Sequence, residues 1–236
     1  MQKLIPLARL ILAVCLAATT AACANQEPQD PKEPVRLLAL GDSYTIGEGV
    51  PVEERWPIQL VELLRAQGLT VAPPQIIAAT GWTTSDLEST IEHADVAPPY
   101  DLVTLLIGVN DQYCGRGADW YEDRFTRLLH EAIDLAGGDA KRVIVLSIPD
   151  YGVTPFGQHR DPQAIRAAID RFNEINRTQM QGVGARYVDI TPLSREAADD
   201  PSLLVGDGLH PSGEMYTRWA RLALPVTLAA VREEGI

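Results

Sequence analysis

Cysteine is scarce in this chain of 236 residues: there are three, Cys15, Cys23 and Cys114. Cys15 falls in a segment expected to be cleaved away and Cys23 at its border, which leaves Cys114 without a partner and excludes a disulfide framework. Histidine is equally sparse, with four residues, and no cluster of Cys, His and carboxylates has metal-ligand spacing, so no metal is expected. Positive charge is also short. Twenty Lys and Arg face 32 Asp and Glu, a formal net charge of −12. That balance opposes binding to a phosphate backbone, and nucleic acid is not an expected partner. No apolar run reaches the roughly 20 residues that span a bilayer as a helix.

The longest apolar stretch is Leu10 to Ala18, preceded by Lys3 and Arg9. Its length and basic flank read as a secretory signal over residues 1–22. Thr20-Ala21-Ala22-Cys23 resembles a bacterial lipobox, with Cys23 as the lipidated first residue of the mature chain; Thr20 departs from the aliphatic residue preferred there. Ala22-Cys23-Ala24 also fits ordinary signal cleavage, so a membrane-anchored envelope lipoprotein and a soluble exported protein both stand. Residues 23–34 have almost nothing apolar to bury and read as a tether, leaving 35–236 as one domain.

Within that domain, strand and helix patterns alternate. Five apolar runs, Val35–Leu40, Gln75–Ala79, Asp101–Ile107, Arg142–Ile148 and Arg186–Ile190, read as strands. Several are apolar almost throughout, as parallel strands covered on both faces are. Trp56, Leu60 and Leu64 recur every four residues in a first helix. Thr83-Thr84-Ser85-Asp86 has the form of a capping box opening a second. Asp119 with Glu122 is expected to cap a third helix ending at Gly137-Gly138, Asp161-Pro162 opens a fourth, and the last runs from about Ser212 to Glu234. Alternation of this kind predicts an α/β sandwich with right-handed crossovers. The functional crevice of such a sheet lies at the carboxyl ends of its strands.

The residues that could carry chemistry fall at those ends. Gly41-Asp42-Ser43 follows the first strand, Gly81 the second, and Gly108-Val109-Asn110-Asp111 the third; Asp207-Gly208-Leu209-His210 precedes the last helix. A serine hydroxyl needs a base within hydrogen-bond reach, and the base needs an orienter. Of the histidines, His93 and His130 belong to helix surfaces and His159 to a long loop, whereas His210 has an acid three residues before it and Pro211 stiffening its exit. Each block alone also reads as turn chemistry; together, in this order and at these positions, they predict one site. The serine does not sit in Gly-x-Ser-x-Gly, and Gly47-Glu48-Gly49 is not a phosphate loop.

These four blocks resemble those of the SGNH hydrolases, the GDSL-type esterase and lipase superfamily, over about residues 35–230, with Gly47 and Gly49 also fitting the family's loop. Tyr44 stands where the family name has leucine. The resemblance implies a flavodoxin-like, three-layer α/β/α sandwich on a central five-stranded parallel sheet. It implies Ser43 as nucleophile, His210 as base and Asp207 as its orienter. It further implies an oxyanion hole from the backbone N–H groups of Ser43 and Gly81 and the amide of Asn110, and no cofactor. Asp42 and Asp111 are expected to brace their loops.

Substrate is less legible. Trp82 beside Gly81, Tyr113 after Asn110, and Tyr151 and Phe156 in the loop after the fourth strand are the expected substrate-binding aromatics; Trp56 reads as core. Without a long insertion to serve as a lid, small or short-chain acyl esters are favoured over triglycerides, with acetylated carbohydrate a candidate. A lysophospholipase or thioesterase is the enzymatic alternative. A non-catalytic envelope binding protein or a flavin protein on the same fold is disfavoured, because no catalytic block is missing and no phosphate-cradling loop is present.

Overall fold

The apolar runs are strands because β-branched and leucine side chains fill both faces of a covered sheet. A computed structural model describes residues 33–233; the signal segment, Cys23 and the tether up to residue 32 lie outside the described residues. In chain order the main elements are β1 (Leu37–Gly41), α1 (Ser43–Ile46), α2 (Trp56–Ala66), β2 (Gln75–Ala78), α3 (Thr84–Ile91), β3 (Leu102–Leu106), α4 (Val109–Tyr113), α5 (Ala118–Leu135), β4 (Val143–Leu146), α6 (Pro162–Val183), β5 (Arg186–Val188), α7 (Thr191–Arg195) and α8 (Gly213–Glu233). Every residue of β1, β3 and β4 is buried.

The five strands form one parallel sheet in the order β2-β1-β3-β4-β5. The chain therefore reverses direction across the sheet once, after β2. Right-handed crossovers then put α2 on one face and α3, α5 and α6 on the other. The packing agrees: α2 rests on α8, while α5 rests on both α3 and α6. This is the three-layer α/β/α sandwich anticipated above. β1 lies between β2 and β3, with Gly41 in register with Ala78 on one side and Leu106 on the other. The loops after those three strands consequently leave the sheet side by side.

Helix boundaries follow local chemistry. The Thr83 side chain accepts from the Asp86 N–H while the Asp86 carboxylate accepts from the Thr83 N–H, a complete capping box on α3. Asp161 accepts from the N–H groups of Gln163 and Ala164, with Pro162 in the first turn of α6. Asp119 does not cap α5: Gly117 is the N-cap, and Asp119 sits in the first turn, where its charge still favours the helix dipole. The strands are also shorter than the apolar runs, because residues such as Ile107 and Ile148 are buried in the loops that leave the sheet. The face of α2 carrying Trp56, Leu60 and Leu64 is fully buried, as are Tyr216 and Trp219 of α8. Burying side chains of this size contributes roughly 1.5–3 kcal/mol each relative to exposure.

Candidate active site

The sequence Gly41-Asp42-Ser43 turns β1 directly into α1. Asp42 is the N-cap, its Oδ1 accepting from the Tyr44 N–H at 3.0 Å, and Ser43 is the first helical residue. Asp42 is buried and its Oδ2 has no hydrogen-bond partner. An ionised carboxylate there would be uncompensated. Burial, reinforced by the charge of Asp111, pushes the Asp42 carboxyl up to about 8 against the opposing Tyr44 N–H.

Gly81 follows β2 at φ +84°, a conformation that favours glycine, with open space where a Cβ would stand. Its neighbour Thr80 donates from Oγ1 to the Glu48 carboxylate, tying the loop after β2 to the loop after α1. Beyond β3, Gly108 takes φ +125°, and the Tyr121 side chain occupies the space a Cβ would need, with its atoms 2.6–2.8 Å from that position. This turn starts α4 and places Asn110 toward Gly81: its Nδ2 donates to the Trp82 carbonyl at 2.9 Å. Asp111 accepts from both the N–H and the hydroxyl of Thr84, at 3.0 and 2.9 Å. Burial raises its pKa, and the two Thr84 hydrogen bonds oppose that rise. Asp42 and Asp111 both brace loops, as expected.

On the far side, Asp207-Gly208-Leu209-His210 forms a tight turn. Asp207 Oδ1 accepts from the N–H groups of Leu209 and His210, and its Oδ2 lies 2.6 Å from His210 Nδ1. Partial burial would raise the Asp207 pKa, but the hydrogen bonds from His210 and Leu209 outweigh it and hold the carboxyl below its ordinary value. The ring of Tyr44 meets His210 edge-on at 5.9 Å.

One cavity of about 220 Å³ collects these groups. Ser43, Gly81, Asn110 and His210 line it, together with Tyr44, Thr80, Val109 and Leu209. Tyr113, Tyr151 and Phe156 form an aromatic triangle at its other end, with centroids 6.0–6.4 Å apart. Tyr151 donates its hydroxyl to Gln112, and Asp150 fixes the loop by accepting from the Gly152 N–H and pairing with Arg195 and Arg166. Trp82 departs from expectation: it does not line the cavity, its side chain packs against the core, and it meets the site through its carbonyl. Tyr44, Thr80, Val109 and Leu209 were missed as lining residues; the first two adjoin one of the four sequence blocks and the last two lie within one, which is the signal that could have found them. Among the described residues no group of three or more His, Cys, Asp or Glu could hold a metal ion, and no helix is long and apolar enough to cross a membrane.

Residues 39–218 match the GDSL-like lipase/acylhydrolase family. An arylesterase from Vibrio mimicus is 27% identical over 217 residues, covering 89% of this chain and 92% of that one. An acetylxylan esterase from Geobacillus stearothermophilus superposes with a TM-score of 0.63 at 23% identity, covering 82% of this chain and 94% of the other. A lipolytic protein of the G-D-S-L family from Veillonella parvula gives 0.62 at 19%, covering 82% and 98%. These two likenesses establish the shared fold. With the matched region spanning most of the sheet and all four loops of the cavity, the chain belongs to the GDSL-like lipase/acylhydrolase family and is a carboxylic ester hydrolase.

Proposed function

We propose that this chain is a serine esterase working through an acyl-enzyme on Ser43. The observation that carries this reading is the single cavity lined by Ser43, Gly81, Asn110 and His210, with Asp207 bound to the far nitrogen of His210. Ser43 Oγ attacks the ester carbonyl and passes its proton to His210 Nε2. The negative charge that develops on the carbonyl oxygen is met by the N–H groups of Ser43 and Gly81 and by Asn110 Nδ2. Collapse of the tetrahedral intermediate expels the alcohol with the proton from His210. Water, deprotonated by His210, then releases the acid and restores Ser43. Asp207 fixes the tautomer and offsets the imidazolium charge.

The preferred esters are small or short in the acyl chain. The cavity volume of about 220 Å³ supports this, as do the bulky rings at its end. An acetylated carbohydrate fits the same requirement, and one structural relative is named an acetylxylan esterase. Turnover of a p-nitrophenyl ester series from acetate to palmitate, beside Ser43→Ala, tests the reading. Serine-dependent hydrolysis with an optimum at short chains supports it. An optimum at long chains moves the assignment to a lysophospholipase or thioesterase. No turnover, and no labelling of Ser43 by a fluorophosphonate, overturns the triad. The apolar segment 10–18 followed by Cys23 supports export, with Cys23 as a lipid anchor. Metabolic labelling with palmitate that survives Cys23→Ser would refute the anchor.

A further inference from the structure

Beside the aromatic residues of the cavity, though not among those that line it, stands a cation that the catalytic scheme does not use. The Arg160 guanidinium lies 4.0 Å from the ring centroid of Tyr113. Its charge also reaches Tyr151, where it opposes the rise that burial imposes on that phenol's pKa. Arg160 is exposed, and among the described residues no carboxylate pairs with it. Nearby arginines of α6 and α7 are differently placed: Arg166 and Arg195 both sit on Asp150. A guanidinium stacked on a ring uses its face and keeps its N–H edges, the geometry that grips a carboxylate with two parallel hydrogen bonds. Of the two phenols in the triangle, Tyr151 already donates its hydroxyl to Gln112. The guanidinium also covers one face of Tyr113 on which a sugar ring would otherwise stack.

The rest of the molecule makes this cation consequential. A chain of net charge −12 repels anions at long range, so an anionic ester approaching the cavity needs a local positive charge to be held. We propose that Arg160 is an anion-recognition residue. The preferred ester carries a carboxylate, or a comparable small acid group, on the part that occupies the Tyr113–Tyr151–Phe156 end of the cavity. This rests on the esterase reading above and narrows its substrate class.

The test compares charged with neutral esters of matched shape, at low ionic strength, on each side of the scissile bond. On the acyl side, the p-nitrophenyl monoester of glutaric acid is set against p-nitrophenyl valerate. On the alcohol side, 4-carboxyphenyl acetate is set against 4-carbamoylphenyl acetate. The readout is the ratio of kcat/KM for the charged ester to that for its neutral partner. Arg160→Gln is expected to lower this ratio by about five- to tenfold on one arm, and that arm identifies which side of the ester meets the guanidinium. Arg160→Lys keeps the charge without the fork and is expected to fall between. Arg221→Gln, an exposed arginine on α8, controls for net charge and is expected to leave the ratio where it is. A ratio that moves on neither arm with Arg160→Gln, or moves equally with Arg221→Gln, overturns the assignment while leaving the esterase standing. Absence of turnover of the neutral esters by the unaltered protein overturns the esterase reading, and this one with it.

Discussion

His210 Nδ1 stands 2.6 Å from Asp207 Oδ2, and the other oxygen of the same carboxylate is held by the N–H groups of Leu209 and His210. One acid thus shapes the turn and aims the ring. Asp207→Asn keeps an acceptor for the turn but presents the wrong partner to the imidazole. It is expected to lower kcat by about 10³–10⁴ while KM changes little, read in steady-state kinetics on a short-chain ester. The Asp207 side chain is 42% exposed, so the variant should fold normally. Its contribution to stability has a defined pH window. Because the folded pKa is depressed, that contribution is present above the ordinary carboxylate value and is lost as pH falls through the lowered one. The difference in Tm between the two proteins should therefore hold steady from neutral pH down to about 4 and shrink below it.

Asn110→Ala removes one proposed donor to the oxyanion and leaves the Trp82 carbonyl without the Asn110 amide. A fall in kcat of about 10²–10³ with a nearly unchanged KM is expected. A loss confined to KM would show that Asn110 binds the ester rather than its transition state.

Asp42 should reveal itself through stability. Its carboxyl is pushed up to about 8 by burial, so the folded state favours the neutral form. The stability it contributes is complete below the ordinary value near 4 and declines as pH rises to about 8. Asp42→Asn retains an acceptor for the Tyr44 N–H and escapes that decline. Thermal melts should show the variant gaining on the parent between about pH 4 and 8, by on the order of a few kcal/mol, and holding that gain above pH 8. A gap that does not change with pH would refute a neutral Asp42.

Gly108→Ala would push a methyl group into Tyr121, which is stacked on Phe172 at 4.0 Å and hydrogen-bonded to Ile107 and Asn176. The positive φ adds backbone strain. A loss of about 3 kcal/mol or more is expected, a drop in Tm on the order of 10 °C by calorimetry.

The sheet was readable from sequence because its strands are continuous apolar runs, and the ends of α3 and α6 because Thr83 to Asp86 and Asp161-Pro162 are local signals. The contact of Asp207 with His210 was readable for the same reason: the two residues meet within one turn. What escaped depends on residues distant in the chain. Nothing local says that the Tyr121 ring would close over Gly108, or that Trp82 would turn its side chain inward and offer Asn110 only a carbonyl. The pairing of Arg160 with Tyr113 joins the loop before α6 to the end of α4, segments that are distant in the chain. Asp119 misled because an acid near a helix start favours the dipole in the first turn as well as at the cap.

The register of three neighbouring strands has a mechanical meaning. Gly41 is paired with Ala78 and with Leu106, and the three proposed oxyanion donors, Ser43, Gly81 and Asn110, sit two, three and four residues beyond these positions. The sheet works as a ruler: its strand spacing, roughly 4.8 Å, sets where the three segments that carry them start. The proposed base, His210, is mounted elsewhere, on a turn that belongs to no strand. Loosening that turn would silence proton transfer and leave the anion-binding half at its working dimensions, a form able to hold an ester without cleaving it.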